Sequence, residues 1–523
     1  MKATNLQLAV LKSWDIWLTL ISIAALAAIA ATSMPLPSLV CAQDVGVMLD
    51  AGWRNYQGQR CHVDYISPLG PLFAMLPGIC FKIYGPVYES LKFLPISVTA
   101  ICTLWMLGLS RTALPKILAL LGSSAVGLFA GGLFHPGFEY RALTFAVFYN
   151  RVGYGLLCIV ALAALLPRNT GEQRFLIFRD ASLATALCFL LFLKINFFAA
   201  GCLFALCSIL LYKRGGWEWV SLLASAAIVI SVFGGAIGFR FDLMTADLCL
   251  AMFSREGSSA NLFFYPLRNF VANADYFVVV VLMMAIVILA AIQDRNCSRN
   301  YFASLAVLLV AVTVGFGLTL MQSHGDGRCF PTVVSGSMAL VAWNSLSKKR
   351  NDLIQSTLCV GTAVVAALVS WPHLAAYQFL KSIRVDQFSG VFEGAALRSW
   401  KVAPFNSWGE NFIPMVNEGM ALIREKAGTN ATVQYIDMAN NFSFGLGMRS
   451  PKGSMLWWDD RSTYSRKAHP DQTVFADTDC LLLPLTRPIQ PQPVWGEIYG
   501  PYVTGAYMEI GRSANFLLLG KKR

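Results

Sequence analysis

The sequence predicts a mostly α-helical, polytopic membrane protein that ends in a small α/β domain. Of 523 residues, 56% are hydrophobic and only 13% charged, about half the charged share of a soluble domain. Apolar runs of roughly 18 or more residues, long enough to cross a hydrocarbon core about 30 Å thick, recur between residues 14 and 375. From about residue 376 the composition turns polar. The net charge of +12 would suggest nucleic acid in a soluble chain. Here it reads as Lys and Arg retained on one side of a membrane, and nucleic acid is not an expected partner.

The first span is 14–33, a retained span rather than a signal peptide, since no cleavage site follows it. Further spans are expected near 92–110, 117–134, 143–166, 217–238, 273–292, 301–320, 331–346 and 353–375. The run 181–212 is too long for one crossing, and a polar "KIN" interrupts its centre. It reads as two short helices in a hairpin with Lys194 and Asn196 at the turn, which brings the count to about eleven spans. The segment 68–85 holds three prolines, three glycines and Lys82 and reads as juxtamembrane or re-entrant. Orientation follows from the short basic loops. With Lys2 and Lys12 in the cytoplasm, the cytoplasmic loops carry Arg111 and Lys116; Arg168, Arg174 and Arg179; Lys213 and Arg214; Arg295 and Arg299; and "KKR" at 348–350. The loops 34–91, 135–142, 239–272 and 323–330, the Lys194 turn and everything after about 376 then face outward. Two domains result, a transmembrane domain over residues 1–375 and an extracytoplasmic α/β domain over residues 376–523. In the latter, "EGMALIREKAG" reads as an amphipathic helix, and "TVQYIDM", "CLLLPL" and "NFLLLGKK" as strands. It holds no nucleophile elbow, phosphate loop or zincin motif.

The thirteen cysteines are scattered, without a CxxC or zinc spacing. Cys41 and Cys61 share the first outward loop, and both a disulfide and two separate thiols are open there. That loop, "CAQDVGVMLDAGWRNYQGQRCHVDYISPLGPLF", collects Asp44, Asp50 and Asp64 in a chain otherwise poor in charge. A carboxylate partly desolvated at a membrane surface is suited to general-base chemistry, and Asp44, just beyond span one, is the candidate. The structural alternative is a helix cap or a loop ion pair. Outward-facing basic residues run against the retention trend and suit an anionic client. They are Arg141, Arg151, Lys194, Arg240, Arg255, Arg268, His324 and Arg328. Snorkelling toward lipid headgroups is the competing role for each. Lys194 stands out, because a lysine inside an apolar run is costly and usually has an assigned partner. Tyr65 of the first loop joins Lys194, Arg141, Arg151, Arg255, Arg328 and His324 as a substrate-binding candidate. No cofactor is assigned. The pairs His135/Glu139 and His324/Asp326 leave a divalent cation open without forming a recognisable site.

The layout resembles the GT-C class of integral-membrane glycosyltransferases, in the bacterial branch of protein mannosyltransferases and of the aminoarabinose and galacturonosyl transferases of lipid A. The resemblance rests on "QDVGVMLDAGWRNYQGQRCHVDYISPLGPLFAMLPGICFKIYG", on "YNRVGYGLL" at 149–157, on "FLKINFFAAG", and on "YIDMANNFSFGLG" and "DCLLLPL" in the tail. It implies a glycosyltransferase of hexosyltransferase type in a bacterial inner membrane. Such an enzyme takes a sugar from a polyprenyl-phosphate donor and passes it, outside the membrane, to a lipid, glycan or protein acceptor. Asp44 would receive or orient the acceptor's proton, and Lys194, Arg141, Arg255 and Arg328 would steady the departing lipid phosphate. One base suffices for the inverting displacement this implies. The chain departs from the pattern in two places. Val45 and Gly46 follow Asp44 where many relatives carry a second acidic residue, and Ser67 precedes Pro68 where aminoarabinose transferases have lysine. The main alternative is a transporter or flippase for a lipid-linked or anionic substrate; a transporter needs polar residues at mid-membrane depth, whereas here they gather at one face.

Overall fold

The computed structural model describes residues 14–135, 138–167, 173–254, 285, 330–345, 352–388, 390–403, 412–438, 440–460, 463–485 and 493–522. The membrane domain comprises α1 (Trp14–Thr32), α2 (Ala42–Tyr56), α3 (Pro71–Tyr84), α4 (Leu94–Ser110), α5 (Lys116–Ala130), α6 (Phe148–Leu165), α7 (Gln173–Leu193), α8 (Ile195–Leu211), α9 (Gly216–Ala236), α10 (Phe241–Phe253), α11 (Phe330–Ser345) and α12 (Asp352–Ser382). Six described helices are long and apolar enough to cross a membrane: α1, α4 with its leading 3-10 turn, α6, α7, α9 and α12. The protein is therefore a multi-pass, mostly helical membrane protein. The expected span at 301–320 and, apart from residue 285, that at 273–292 lie outside the described residues, so the count of about eleven is not reached among them.

Helix α6 is the axis of the bundle. It packs against α4, α5, α7, α8 and α11, and nearly all of it is buried, as expected of a helix apolar all round. Small residues let its neighbours close in. A Cβ on Gly153 would stand 2.7 Å from the Phe197 ring, and one on Gly155 2.5 Å from the Ala130 Cβ.

The hairpin expected within 181–212 breaks at Lys194, which sits in extended conformation (φ −161°, ψ 124°) between α7 and α8. Its arms are longer than two short halves. α7 starts at Gln173 and runs 21 residues, and α8 runs 17, or about 32 and 26 Å at 1.5 Å per residue. Helix α3, at 14 residues, spans only about 21 Å and packs along α2, as a juxtamembrane segment would. Helix α10 occupies a stretch of what reads in the sequence as the loop 239–272; it buries only Met244 and Asp247.

Helix α12 runs through the expected boundary at residue 375 and continues to Ser382. Beyond it, α13 (Phe412–Lys426), β1 (Val433–Tyr435), α14 (Asn441–Leu446), β2 (Cys480–Pro484), α15 (Pro493–Ala506), β3 (Tyr507–Arg512) and β4 (Phe516–Lys521) form an α/β domain. The sheet order is β1-β2-β4-β3. β1 is parallel to β2, and β4 is antiparallel to both β2 and β3. The two-residue period divides the sheet cleanly. Leu482, Phe516 and Leu518 face the core shared with α13, α14 and the membrane domain. Leu481 faces a separate aromatic core of Trp458, Tyr464, Phe475, Trp495, Tyr499 and Tyr507. Three of the strands fall on the segments read from sequence; β3 was not expected.

Candidate active site

The first loop is held from three sides, and each restraint is readable from its residues. The segment before α2 is clamped by backbone bonds from Ser38 N to Lys401 O (2.8 Å) and from Leu39 N to Leu143 O (2.8 Å). Tyr88 OH donates to Leu36 O at 2.5 Å, and Trp400 Nε1 to Ser38 Oγ at 2.8 Å. Cys41 then turns the chain into α2 with a left-handed backbone (φ 51°, ψ 49°), a conformation that costs a non-glycine residue about 1–3 kcal/mol. Asp44 follows in the first turn of α2, half-buried, where the helix dipole favours its negative charge. Cys41 and Cys61 are not bridged to each other; the buried Cys61 thiol points to Leu69 O at 3.7 Å.

At the other end of the loop, Gly70 presses onto the end of α7. Its N–H donates to Leu193 O at 3.1 Å, and a Cβ there would sit 2.1 Å from Phe192 O. Only glycine permits so close a backbone approach. The contact brings the first loop beside Lys194. The Lys194 ammonium donates to Asn150 Oδ1 at 3.0 Å. It also lies 5.1 Å from the Tyr149 ring centroid and 5.9 Å from that of Phe197, within cation–π range. Tyr149 packs edge-on against Phe73 of α3 at 5.2 Å. Helix α6 therefore supplies two successive side chains that fix the lysine. It starts at a second left-handed residue, Val147 (φ 47°, ψ 28°), where a β-branched side chain makes the strain larger still.

The remaining expected residues separate. Arg151, one position on, is fully buried and turned inward: its guanidinium donates to Phe134 O and, at 3.1 Å, to Thr144 O. It staples the loop that precedes α6 and so supports Leu143, to which the Asp44 segment is bonded. Arg141 is exposed, over the Tyr140 and Phe379 rings. Tyr65 is buried beneath Arg54, whose guanidinium carbon is 5.1 Å from the ring centroid. Arg240 is exposed and paired with Asp242 at 2.7 Å. Arg255, Arg268, His324 and Arg328 lie outside the described residues, as does Asp326. His135 is buried edge-on against Phe138 while Glu139 is exposed. Among the described residues no three His, Cys, Asp or Glu gather as metal ligands.

Sequence reasoning missed the buried polar seam beneath α2. Asp50 and Arg54 form a fully buried ion pair at 2.9 Å. Arg54 also donates to Gln59 Oε1 at 3.2 Å and to Pro451 O at 2.8 Å, tying α2 to the C-terminal domain. Trp53 Nε1 and Gln57 Nε2 both donate to Met448 O, at 2.8 and 3.0 Å, and Gln59 Nε2 to Ser450 O at 2.6 Å. His62 Nδ1 meets Asp247 Oδ2 at 2.8 Å, which joins the loop to α10. Burial pulls the His62 imidazole down, but Cys61 and Asp247 outweigh it and set it at about 10. Burial raises the Asp247 carboxyl, with His62 pulling against it. The Asp50/Arg54 spacing of four residues was a legible signal; Asn150 lay in plain view inside "YNRVG" with no periodicity to mark it.

No protein-family model matches the chain, and no curated protein matches it. Solved structures do. The crystal structure of ArnT from Cupriavidus metallidurans in the apo state aligns with 96% of this chain and 97% of its own, at 12% identity and TM-score 0.49. ArnT from the same organism bound to undecaprenyl phosphate aligns over 97% and 98%, at 10% identity and TM-score 0.40. The archaeal oligosaccharyltransferase AglB from Archaeoglobus fulgidus, in complex with an inhibitory peptide and a dolichol-phosphate, aligns over 90% of this chain and 69% of its own, at 12% identity and TM-score 0.36. At these values the likeness assigns neither fold, substrate nor residue.

Proposed function

We propose that the protein is a glycosyltransferase that moves a sugar from a polyprenyl-phosphate donor to a cell-envelope lipid, glycan or protein, at the extracytoplasmic face of a bacterial inner membrane. The observation that carries this reading is the meeting of Lys194, set at the break between two apolar helices, with the first loop through Gly70 and Leu193. A lysine between two apolar helices is costly and usually has an assigned partner, and a lipid phosphate is one that fits it. An isoprenoid lies in lipid and presents its phosphate where such a lysine stands. Asp44 is on the same loop, and its approach segment shares the loop 143–147 with the helix that fixes Lys194.

In this reading Asp44 accepts the proton of the acceptor hydroxyl as the oxygen attacks the anomeric carbon. The bond from that carbon to the phosphate oxygen breaks, and the polyprenyl phosphate leaves with the electron pair and the negative charge. Lys194 is placed to stabilise the charge as it develops, which is where a fixed cation contributes most. Displacement from the opposite face inverts the anomeric centre, and no second carboxylate is needed. Exposed Arg141 fits a role at the rim. Arg151, which serves backbone carbonyls, fits a supporting one.

Asp44→Asn tests the assignment. Transfer from a polyprenyl-phosphate sugar should fall by about 10²–10⁴, the range for loss of a general base. The purified variant should keep its size-exclusion profile and thermal transition. Wild-type turnover in a folded variant would remove Asp44 from the reaction.

A further inference from the structure

We propose that α10 lies in the plane of the membrane–water interface. Its face carrying Phe241, Thr245, Leu248 and Met252 rests on phospholipid, and Asp247 on the adjoining face ties that seating to the first loop. The inference stands apart from the roles given to Asp44 and Lys194.

The chain leaves α9 at Ala236 and turns at once. Gly238 (φ 61°) and Phe239 (φ 57°) both adopt a left-handed backbone, which glycine accepts freely and phenylalanine only at a cost. Helix α10 thus begins beside the end of a helix long and apolar enough to cross a membrane. It cannot cross one itself. Its 13 residues reach about 20 Å against a hydrocarbon core of about 30 Å. Instead it is laid over the ends of α7 and α9. Met244 joins a buried cluster with Phe192 and Phe233, and Leu248 packs against that cluster. Asp247 grips the first loop: its Oδ2 accepts from Ser67 N at 3.0 Å and meets His62 Nδ1 at 2.8 Å. The turn before α10 abuts the same loop, since a Cβ on Gly238 would stand 2.7 Å from Arg60 Nη1. Beyond the helix, Ser254 Oγ donates to Ala468 O at 3.3 Å.

Residues 241, 245, 248 and 252 recur at i, i+4, i+7 and i+11, which is one face of a helix. Phe241 and Met252 are exposed on it, Met252 by 61%, and Leu248 is half-buried. Thr245, the polar member of that face, turns its hydroxyl back to Phe241 O at 2.8 Å, a bond that leaves no donor facing an apolar medium. Phe239, also 61% exposed, precedes the face, and Val232 of α9 is 59% exposed. The apolar surface therefore runs on from that of a membrane-length helix that buries little of itself in the protein. An exposed apolar surface of this kind marks an interaction site, and beside such a helix its partner is lipid, as for helices lying in a bilayer interface. Asp242 and Ala246, four apart, are exposed on another side, and Asp242 is paired with Arg240 at 2.7 Å, as suits water. Phe253, at the last turn, is exposed on that side as well.

The test uses full-length protein in vesicles of phosphatidylethanolamine and phosphatidylglycerol, with photoreactive p-benzoylphenylalanine in place of Met252, Phe241 or Ala246. Illumination should add the mass of one phospholipid to the proteins labelled at 252 and 241, and not to the one labelled at 246. Lipid capture at 246 as readily as at 252 would overturn the in-plane orientation. No lipid capture at 252 and 241, or capture of a peptide there instead, would overturn the lipid assignment. Hydrogen exchange tests the link to the first loop. Asp247→Ala should speed exchange over residues 60–67 about tenfold, the worth of one hydrogen bond to a charged group, while buried α6 keeps its rate. Unchanged exchange over 60–67, or equal acceleration in α6, would overturn the link. Should Asp247→Ala not fold, His62→Gln removes the ion pair and carries this arm with the same outcomes.

Discussion

At the scale of single residues, the Asp50/Arg54 pair is the clearest case of chemistry committed to structure. Both side chains are fully buried, and Arg54 reaches across the seam to Pro451 O at 2.8 Å. Removing one partner leaves the other as an unpaired buried charge, which costs about 3–5 kcal/mol. Arg54→Met is therefore expected to lower the thermal transition of the solubilised protein markedly. The paired change Asp50→Leu with Arg54→Met should recover most of the loss, since replacing a whole buried pair by apolar side chains is often nearly neutral. Recovery by the pair distinguishes a stranded charge from mere loss of packing. The four-residue spacing of the two was readable in the sequence. Their burial was not, because it is created by a loop nearly four hundred positions away. Tyr65 shows the same limit: its place in the first loop was readable, its burial under Arg54 was not.

At the scale of elements, the break at Lys194 was legible because two polar residues, Lys194 and Asn196, interrupt an apolar run. The length of α7 was not. Its first turns, "QRFLIFRDAS", carry Arg174, Arg179 and Asp180 and read as a basic loop. The structure keeps them helical by pairing. Asp180 accepts from Arg179 at 3.3 Å and lies 3.4 Å from Arg214 Nε, and Arg179 also donates to Leu166 O. Hydropathy cannot register a charge satisfied by a partner more than thirty residues on. The junction of the first loop with α7 allows a direct test. Gly70→Ala drives a methyl into Phe192 O, which must move to accept it. Overpacking of this kind costs about 1–3 kcal/mol, and here the displaced backbone adjoins Lys194. Gly70→Ala should thus raise donor KM as well as lower the melting temperature. Gly235 of α9, with nothing near its Cβ position, should accept alanine with little change in either.

At the scale of the whole molecule, composition was enough to predict a multi-pass helical body and a polar α/β tail, because both follow from where a chain can leave backbone groups unpaired. The docking of the tail on the first loop was beyond sequence reasoning, since it is made largely of backbone carbonyls. The loop 448–453 supplies Met448 O, Ser450 O and Pro451 O to α2 and the turn after it. That loop is braced in turn by Asp477, which accepts from Arg449 at 2.6 and 2.9 Å and from Lys452 N at 2.7 Å. The Arg449 hydrogen bonds hold the Asp477 carboxyl below its ordinary value of 3.8, against a smaller opposing effect of burial. A carboxyl with a depressed folded-state pKa contributes stability that is present above the unfolded value and is lost as pH falls through the folded one. Acidification from about pH 5 toward 3 should therefore release the 448–453 loop, and with it the grip of the C-terminal domain on the helix that carries Asp44. Hydrogen exchange along 448–453 should accelerate across that window in the wild type. In Asp477→Asn it should already be fast at about pH 6, above the whole titration range of the carboxyl, and nearly flat below, once the intrinsic pH dependence of exchange is subtracted. Parallel acceleration in both proteins would show that some other group drives the release. A flat response in the variant alone would make Asp477 the brace between the tail and the candidate catalytic loop.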